Sequence, residues 1–174
     1  MGKILAGLLF ILIDFNITGG TSSIDILPDF VGYILMIYGL RTLIDKSSHF
    51  KKAHSFSIGM AIYMGIMFLS DVVGITYQLG FLAFLLSLIT LIISLFITYK
   101  VVMGVREIET FKGFDLRGVS LKTCWNVMAI FQVGSYLLFF IPLINIIMII
   151  GGFVTAIVFV FYFNTTRNAY AQFE

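Results

Sequence analysis

Residues 79–99 read LGFLAFLLSLITLIISLFITY, twenty-one residues without a charged side chain. A helix of about 20 apolar residues crosses the ~30 Å hydrocarbon core of a membrane, so this stretch predicts a transmembrane helix. The whole chain of 174 residues is 60% hydrophobic and only 11% charged. That composition excludes a soluble globular domain, a disordered chain and a nucleic-acid binder with a basic face.

Six apolar stretches of this kind predict an all-α polytopic membrane protein, a single transmembrane domain over residues 1–174. Because lipid offers no partner to backbone N–H and C=O groups, each stretch is expected to be helical. The predicted spans are Lys3–Gly20, Ile26–Ile44, Phe56–Thr76, Leu79–Tyr99, Cys124–Ile141 and Ile144–Phe163. They form three hairpins, with short outer turns at Thr18–Asp25, Tyr77–Gln78 and Pro142–Leu143.

The positive charges decide the orientation. All eleven Lys and Arg residues lie at the start of the first span, after the sixth span, or in the second and fourth connections, Arg41–Ser55 and Lys100–Thr123; the other three connections hold none. Because Lys and Arg are retained on the cytoplasmic side, we predict a multi-pass protein of the cell membrane with both termini in the cytoplasm.

Acidic residues are placed differently. Asp14 and Asp71 fall roughly 16 and 22 Å from the inner face, and Asp25 and Asp29 open the second span on the outer side. No Lys or Arg is predicted there to pair with them, and a carboxylate inside a membrane predicts a functional site. The alternatives are a helix-capping role for Asp25 and Asp29 around Pro28, an interfacial position for Asp71, and a hydrogen-bonded structural role for Asp14.

The leading hypothesis is a polar pocket that opens outward and binds a cation or a donor-rich solute. Its candidate ligand-binding residues are Asp14, Asn16, Asp29, Asp71 and Gln132.

Two further patterns have a packing interpretation and a binding interpretation. Ser87, Thr90, Ser94 and Thr98 share one face of the fourth span and predict a stripe that faces the bundle, for packing or for lining a solute path. Met60, Met64 and Met67, followed by Asp71, share a face of the third span, where core packing is favoured over soft-metal binding.

Small-residue spacings predict close helix approach at Gly2-x-x-x-Ala6, Ala61-x-x-x-Gly65 and Gly152-x-x-x-Ala156. The sequence has no phosphate-binding loop, no zinc-hydrolase helix motif and no nucleophile elbow. We therefore expect no enzyme activity, cofactor, metal site or nucleic-acid partner. The expected partners are the lipid bilayer, a small solute, and a membrane protein or a second copy of the chain.

The second span opens with IDILPDFVGYIL over residues 24–35, followed by Gly39-Leu40-Arg41 and Phe50-Lys51-Lys52-Ala53. With Gly104-Val105-Arg106-Glu107-Ile108-Glu109 and Asp115-Leu116, this pattern resembles a group of uncharacterised small membrane proteins of Gram-positive bacteria. The resemblance covers about a fifth of the chain and implies that the segment Leu27–Tyr33 is a family feature. It implies no catalytic or binding residues.

Size and six-helix topology are also similar to the substrate-binding S components of energy-coupling-factor vitamin transporters. The first helix of those proteins meets a shared subunit through an Ala-x-x-x-Ala face, where this sequence has Gly2-x-x-x-Ala6. The resemblance implies solute binding or transport with a partner subunit. The alternative function is a membrane scaffold, an immunity protein or a regulatory protein that binds another membrane protein.

Overall fold

The computed structural model describes residues 1–12, 28–73 and 81–173, together with the backbone of residues 16–19 and 22–25. Within these ranges the chain is mainly helical, with six α-helices and one short antiparallel pair of strands. The helices are α1 (Gly2–Leu12), α2 (Asp29–Arg41), α3 (Ser48–Val73), α4 (Phe81–Lys112), α5 (Gly118–Leu137) and α6 (Pro142–Ala171). The strands are β1 (Asn16–Gly19) and β2 (Ser22–Asp25), and a 3-10 turn, Ile44–Lys46, precedes α3.

Each helix packs against the next one in the chain, and α6 packs against α1, so that the six helices close into a ring. Neighbouring helices run in opposite directions: Phe30 at the start of α2 packs on Phe68 near the end of α3, and Phe56 early in α3 packs on Phe96 in the middle of α4. We call the end where α1 begins and α6 ends the basic end, and the opposite end, which carries Asp29 and Asp71, the acidic end.

Glycines let α1 and α2 approach closely. A Cβ on Gly7 would lie 2.6 Å from the carbonyl oxygen of Gly32 and 3.0 Å from the backbone nitrogen of Met36. A Cβ on Gly39 would lie 2.7 Å from the backbone nitrogen of Ile4. Because these obstacles are backbone atoms, no side-chain rotation relieves them. The interface therefore requires glycine, which has no Cβ, at positions 7 and 39.

Replacing Gly7 by alanine is expected to destabilise the protein by about 1–3 kcal/mol, the usual cost of overpacking a tight contact. The matched control is Gly59→Ala on α3, where a Cβ meets no atom within 4 Å. Thermal unfolding in detergent measures both. Equal melting temperatures for the two variants would contradict the close approach.

The basic end is tied together by polar side chains. Glu109 Oε1 accepts hydrogen bonds from the backbone N–H groups of Leu116 (3.0 Å) and Gly118 (3.2 Å) where α5 begins. Thr166 donates to the carbonyl of Leu116 at 3.0 Å, which fixes α6 to the same turn. Ser47 donates to Glu107, and Lys46 donates to the hydroxyl of Tyr170. These bonds hold the connections on that side against the helices.

Apolar side chains cover the outside of the bundle. On α3, Ile62, Ile66 and Leu69 are 62%, 59% and 64% exposed. An apolar surface that continues around several helices is typical of contact with lipid. Among the described residues, three helices are long and apolar enough to cross a membrane: α3, α4 and α6.

The structure differs from the predicted spans at several boundaries. Residues 16–19 form a strand, not the end of a first span, and Asn16–Gly19 pairs with Ser22–Asp25, so the strands overlap the predicted outer turn Thr18–Asp25. Asparagine, threonine and paired glycines favour a turn over a continued helix, which explains this difference. Helix α2 begins at Asp29 and ends at Arg41, and is shorter at both ends than the span Ile26–Ile44.

Two more predicted connections, Lys100–Thr123 and Pro142–Leu143, are wrong because hydropathy alone does not mark where a helix begins or ends. Helix α4 runs on past Tyr99 to Lys112, so that only residues 113–117 separate it from α5. Pro142 does not lie in a turn but is the first residue of α6, where a proline loses no helical hydrogen bond.

Candidate functional site

A cavity of about 620 Å³ lies within the bundle toward the acidic end, between α1, α2, α3, α4 and α5. Its polar lining comprises Asp29, Tyr63, Asp71, Ser87, Thr90, Ser94, Gln132 and Tyr136. Its apolar lining comprises Ile11, Leu12, Met64, Met67, Ala83, Phe84 and Leu91. A space of this size matches the sites that take small organic molecules, which usually combine apolar walls with a few polar groups.

The structure brings three of the five candidate residues together. Asp29 from the first turn of α2, Asp71 near the end of α3 and Gln132 from α5 all line the cavity. Asp29 is half-buried and Asp71 is exposed, so the first lies in the wall and the second at the edge. Asp14 lies outside the described residues. Asn16 pairs with Asp25 through the strands, and its side chain also lies outside the described part.

The hydroxyl stripe of α4 faces the interior, as its spacing predicts. Ser87, Thr90 and Ser94 line the cavity, and Thr98 is 2% exposed one turn further along. Ser87 donates its hydroxyl hydrogen to the carbonyl of Phe84 at 2.8 Å, and Thr90 donates to that of Leu86 at 2.9 Å. The hydroxyl oxygens of Ser87 and Thr90 therefore keep their lone pairs available to a ligand that donates hydrogen bonds.

The lining is rich in acceptors and carries negative charge. Two carboxylates, the serine and threonine oxygens and the amide oxygen of Gln132 accept hydrogen bonds, and the thioethers of Met64 and Met67 are weak acceptors. Among the described residues the lining includes no Lys or Arg. Such a surface favours a cation and disfavours an anion.

Hydrogen bonds between helices close the side of the cavity toward the basic end. Tyr33, 1% exposed on α2, bonds through its hydroxyl to Ser94 of α4. One turn below, the indole N–H of Trp125 donates to Thr98 Oγ1 at 2.9 Å. At the level of these pairs and below it, the interior includes Ile97, Val101, Phe159 and Phe163, each with no exposed surface. The cavity is therefore sealed toward the basic end.

Asp29 owes its position to the segment that the sequence singles out. Pro28 is the N-cap of α2 and makes no side-chain cap hydrogen bond, and Asp29 is the first helical residue. Asp29 and Tyr33 are four residues apart, so they share one face of α2 and point toward the cavity and its floor. The residues Leu27–Tyr33 thus contribute both an acid of the lining and the tyrosine beneath it.

Sequence reasoning did not select Tyr63 and Tyr136, which also line the cavity. Tyr136 packs on Phe84 with ring centroids 5.7 Å apart, which places it between α5 and α4. Tyrosines within apolar helices carry a weak signal, since they also occur at membrane interfaces. Met64 and Met67, interpreted as packing residues, lie in the lining with Asp71, whereas Met60 is buried in the core.

No family model matches the chain, and comparison with curated proteins and with solved structures finds no match.

Proposed function

We propose that this chain is a six-span protein of the cell membrane whose cavity, open toward the outer face, binds a small cationic or donor-rich solute for transport. The observation that carries the proposal is the lining itself, in which Asp29, Asp71 and Gln132 line the same cavity as the α4 hydroxyls without a Lys or Arg among the described lining residues. Opposite charges attract more strongly inside a protein than in water, because the effective dielectric constant is lower there. The two carboxylates therefore attract a quaternary or a protonated ammonium group, and an ammonium that carries N–H groups also donates hydrogen bonds to the neutral acceptors.

The orientation rests on the charges at the two ends. Lys100 follows Tyr99, which packs on Trp125 with ring centroids 4.9 Å apart, and aromatic residues beside lysines are typical of a membrane interface. Placing the inner interface at this level leaves residues 81–99 of α4 in the membrane and 100–112 in the cytoplasm. The acidic end then faces outward, and both termini face the cytoplasm.

Solute binding alone does not move a solute against a gradient. The sequence holds no nucleotide-binding or other energy-coupling motif, so we propose that a partner subunit supplies the coupling. The sealed basic side of the cavity agrees with a state that is open toward the outer face only. Transport then requires the contacts of Tyr33 and Trp125 to separate.

A comparison of isosteric solutes tests the proposed ligand class. Choline carries a trimethylammonium group that its uncharged isostere dimethylbutanol replaces by a tert-butyl group, so the two differ mainly in charge. With the full chain in lipid nanodiscs, choline or tetramethylammonium is expected to raise the melting temperature by a few degrees, since a ligand at about 100 times its Kd adds about 2.7 kcal/mol. Dimethylbutanol and the matching carboxylate, dimethylbutyrate, are expected to have no effect. Equal stabilisation by all three classes, or by the carboxylate alone, would contradict a cation site.

A further inference from the structure

An apolar groove adjoins the cavity on the outside of α3 and α4. Its volume is about 350 Å³, and it is lined by Ser55, Phe56, Gly59, Met60, Tyr63, Ile89 and Ile93. Phe56 and Ile89 are 46% and 50% exposed, which places this groove on the lipid-facing side. A Cβ on Gly59 meets no atom within 4 Å, so the missing side chain leaves the groove open.

Tyr63 forms part of both walls, because it lines the groove and also lines the polar cavity. On α3 the groove residues precede Tyr63, and the cavity residues follow it as far as Asp71. Eight residues separate Tyr63 from Asp71 and another eight separate it from Ser55, or roughly 12 Å in each direction along the helix. A polar compartment and an apolar one therefore meet at a single aromatic side chain.

We infer that the ligand of the cavity is a single-chain amphiphile, with an ammonium head among the acidic-end acceptors and an alkyl tail in the α3–α4 groove. The inference rests on the proposed cation site and adds the tail. With the acidic end outward, the head lies toward the outer face and the tail toward the middle of the membrane. An amphiphile in the outer leaflet has its head and tail in this same orientation. It therefore enters from the lipid past Tyr63 without reversing its direction in the membrane.

The groove and the cavity make separable contributions to affinity. The tail has to cover the roughly 12 Å from the level of Asp71 to that of Tyr63 before it fills the groove, so a long chain is needed. Each buried methylene adds favourable transfer energy, so a ligand with a hexadecyl tail is expected to bind at least about tenfold more tightly than one with the same head and no tail, after correction for partition into lipid. Tyr63 contributes an apolar ring at the junction, where the tail passes from the cavity into the groove.

The decisive variant fills the groove and leaves the cavity lining intact. Gly59→Phe places a ring in the groove, and its matched control, Gly65→Phe, makes the same change on the same helix, where a Cβ also meets no atom within 4 Å. Gly65 lines neither the groove nor the cavity. Since both new side chains extend into open space, both variants are expected to fold.

The experiment measures binding of tetramethylammonium and hexadecyltrimethylammonium, below the micellar concentration, to the full chain in phosphatidylcholine nanodiscs. Protein-free nanodiscs and hexadecanol correct for partition. We expect the tenfold advantage of the hexadecyl ligand in the native chain and in Gly65→Phe, and its loss in Gly59→Phe with tetramethylammonium binding unchanged. Equal affinity for the two ligands, or an advantage that survives Gly59→Phe, overturns the amphiphile inference but leaves the cation site. Absence of saturable binding by either ligand overturns both.

Discussion

Replacing both Asp29 and Asp71 by asparagine is expected to lower the affinity of the cavity for tetramethylammonium or choline by about a hundredfold or more. Tetramethylammonium donates no hydrogen bond, so the expected loss is one of charge attraction, about 3 kcal/mol for two unit charges about 6 Å apart at an effective dielectric constant of about 20. About 1.4 kcal/mol corresponds to a factor of ten in affinity. Asparagine keeps the size of aspartate and one acceptor oxygen but removes the charge. Asp29 is half-buried and Asp71 exposed, so Asp29→Asn alone is expected to have the larger effect, because water screens the exposed carboxylate.

The matched control is Asp45→Asn, which makes the same chemical change at an exposed position of the basic end. It is expected to leave affinity unchanged. Titration of the ligand into each variant in nanodiscs measures the effect, and the melting temperature without ligand reports whether each variant folds. An affinity loss in Asp45→Asn equal to that in the double variant would show that net charge, not the cavity, attracts the cation.

Cysteines introduced at the acidic end and at the basic end are expected to differ completely in their reaction with an impermeant maleimide. The only cysteine is Cys124, so a Cys124→Ala background leaves single introduced cysteines as the only targets. Cysteines at Phe81 and Phe140 of the acidic end, 74% and 88% exposed, are expected to react with an impermeant maleimide on intact cells. Cysteines at Gly2, Lys52 and Gln172 of the basic end are expected to react only after the cells are permeabilised, because the proposed orientation places that end in the cytoplasm.

A cysteine at Ile62 serves as the control for lipid exposure, since this side chain is 62% exposed on the apolar face of α3. It is expected to resist the impermeant reagent before and after permeabilisation. Labelling of positions 2 and 172 on opposite sides would give an odd number of spans and would refute the six-span topology. Labelling of position 140 only after permeabilisation would reverse the orientation and place the cavity opening inside.

Much of the helical architecture follows from the sequence because lipid and helical periodicity restrict the solutions so strongly. The uninterrupted run of residues 79–99 lies within α4 where the structure describes it, and the hydroxyls spaced along that run lie on one interior face. Both patterns can be interpreted from the sequence because they depend only on helical periodicity and on the difference in polarity between lipid and the interior of the bundle. Asp71 and Asp29 line one cavity although they are distant in the chain, and no periodicity reports that proximity.

Close packing was harder to predict. The small-residue spacings favoured approach at Gly2 and Gly65, but a Cβ at either position meets no atom within 4 Å. At the third spacing, a Cβ on Gly152 would lie 3.7 Å from Cγ of Gln132 on α5, and Ala156 is 1% exposed, so that face does meet a neighbouring helix. The tight approach of backbone to backbone lies instead at Gly7, Gly32 and Gly39, where α1 and α2 meet. The small-residue spacing identifies a helix face that permits another helix to pack closely. The side chains of the facing helix decide whether it does.

The cavity walls were also only partly predictable. The serines, threonines and methionines were assigned mainly to packing because such residues fill helix contacts in most membrane bundles. Whether a polar face meets another helix or an open space depends on the volumes of the residues opposite, which a single sequence does not give. The paired strands before α2 escaped notice because the apolar residues around them resemble the end of a span.

The most direct test measures saturable binding of radiolabelled tetramethylammonium to the full chain and to Thr90→Phe in nanodiscs. Thr90 lies in the cavity wall, and the larger ring occupies the space without removing a charge. We predict one saturable site in the native chain and its loss in Thr90→Phe, with the folded state retained. Unchanged binding in Thr90→Phe, or no saturable binding to the native chain, would contradict a cation site in this cavity.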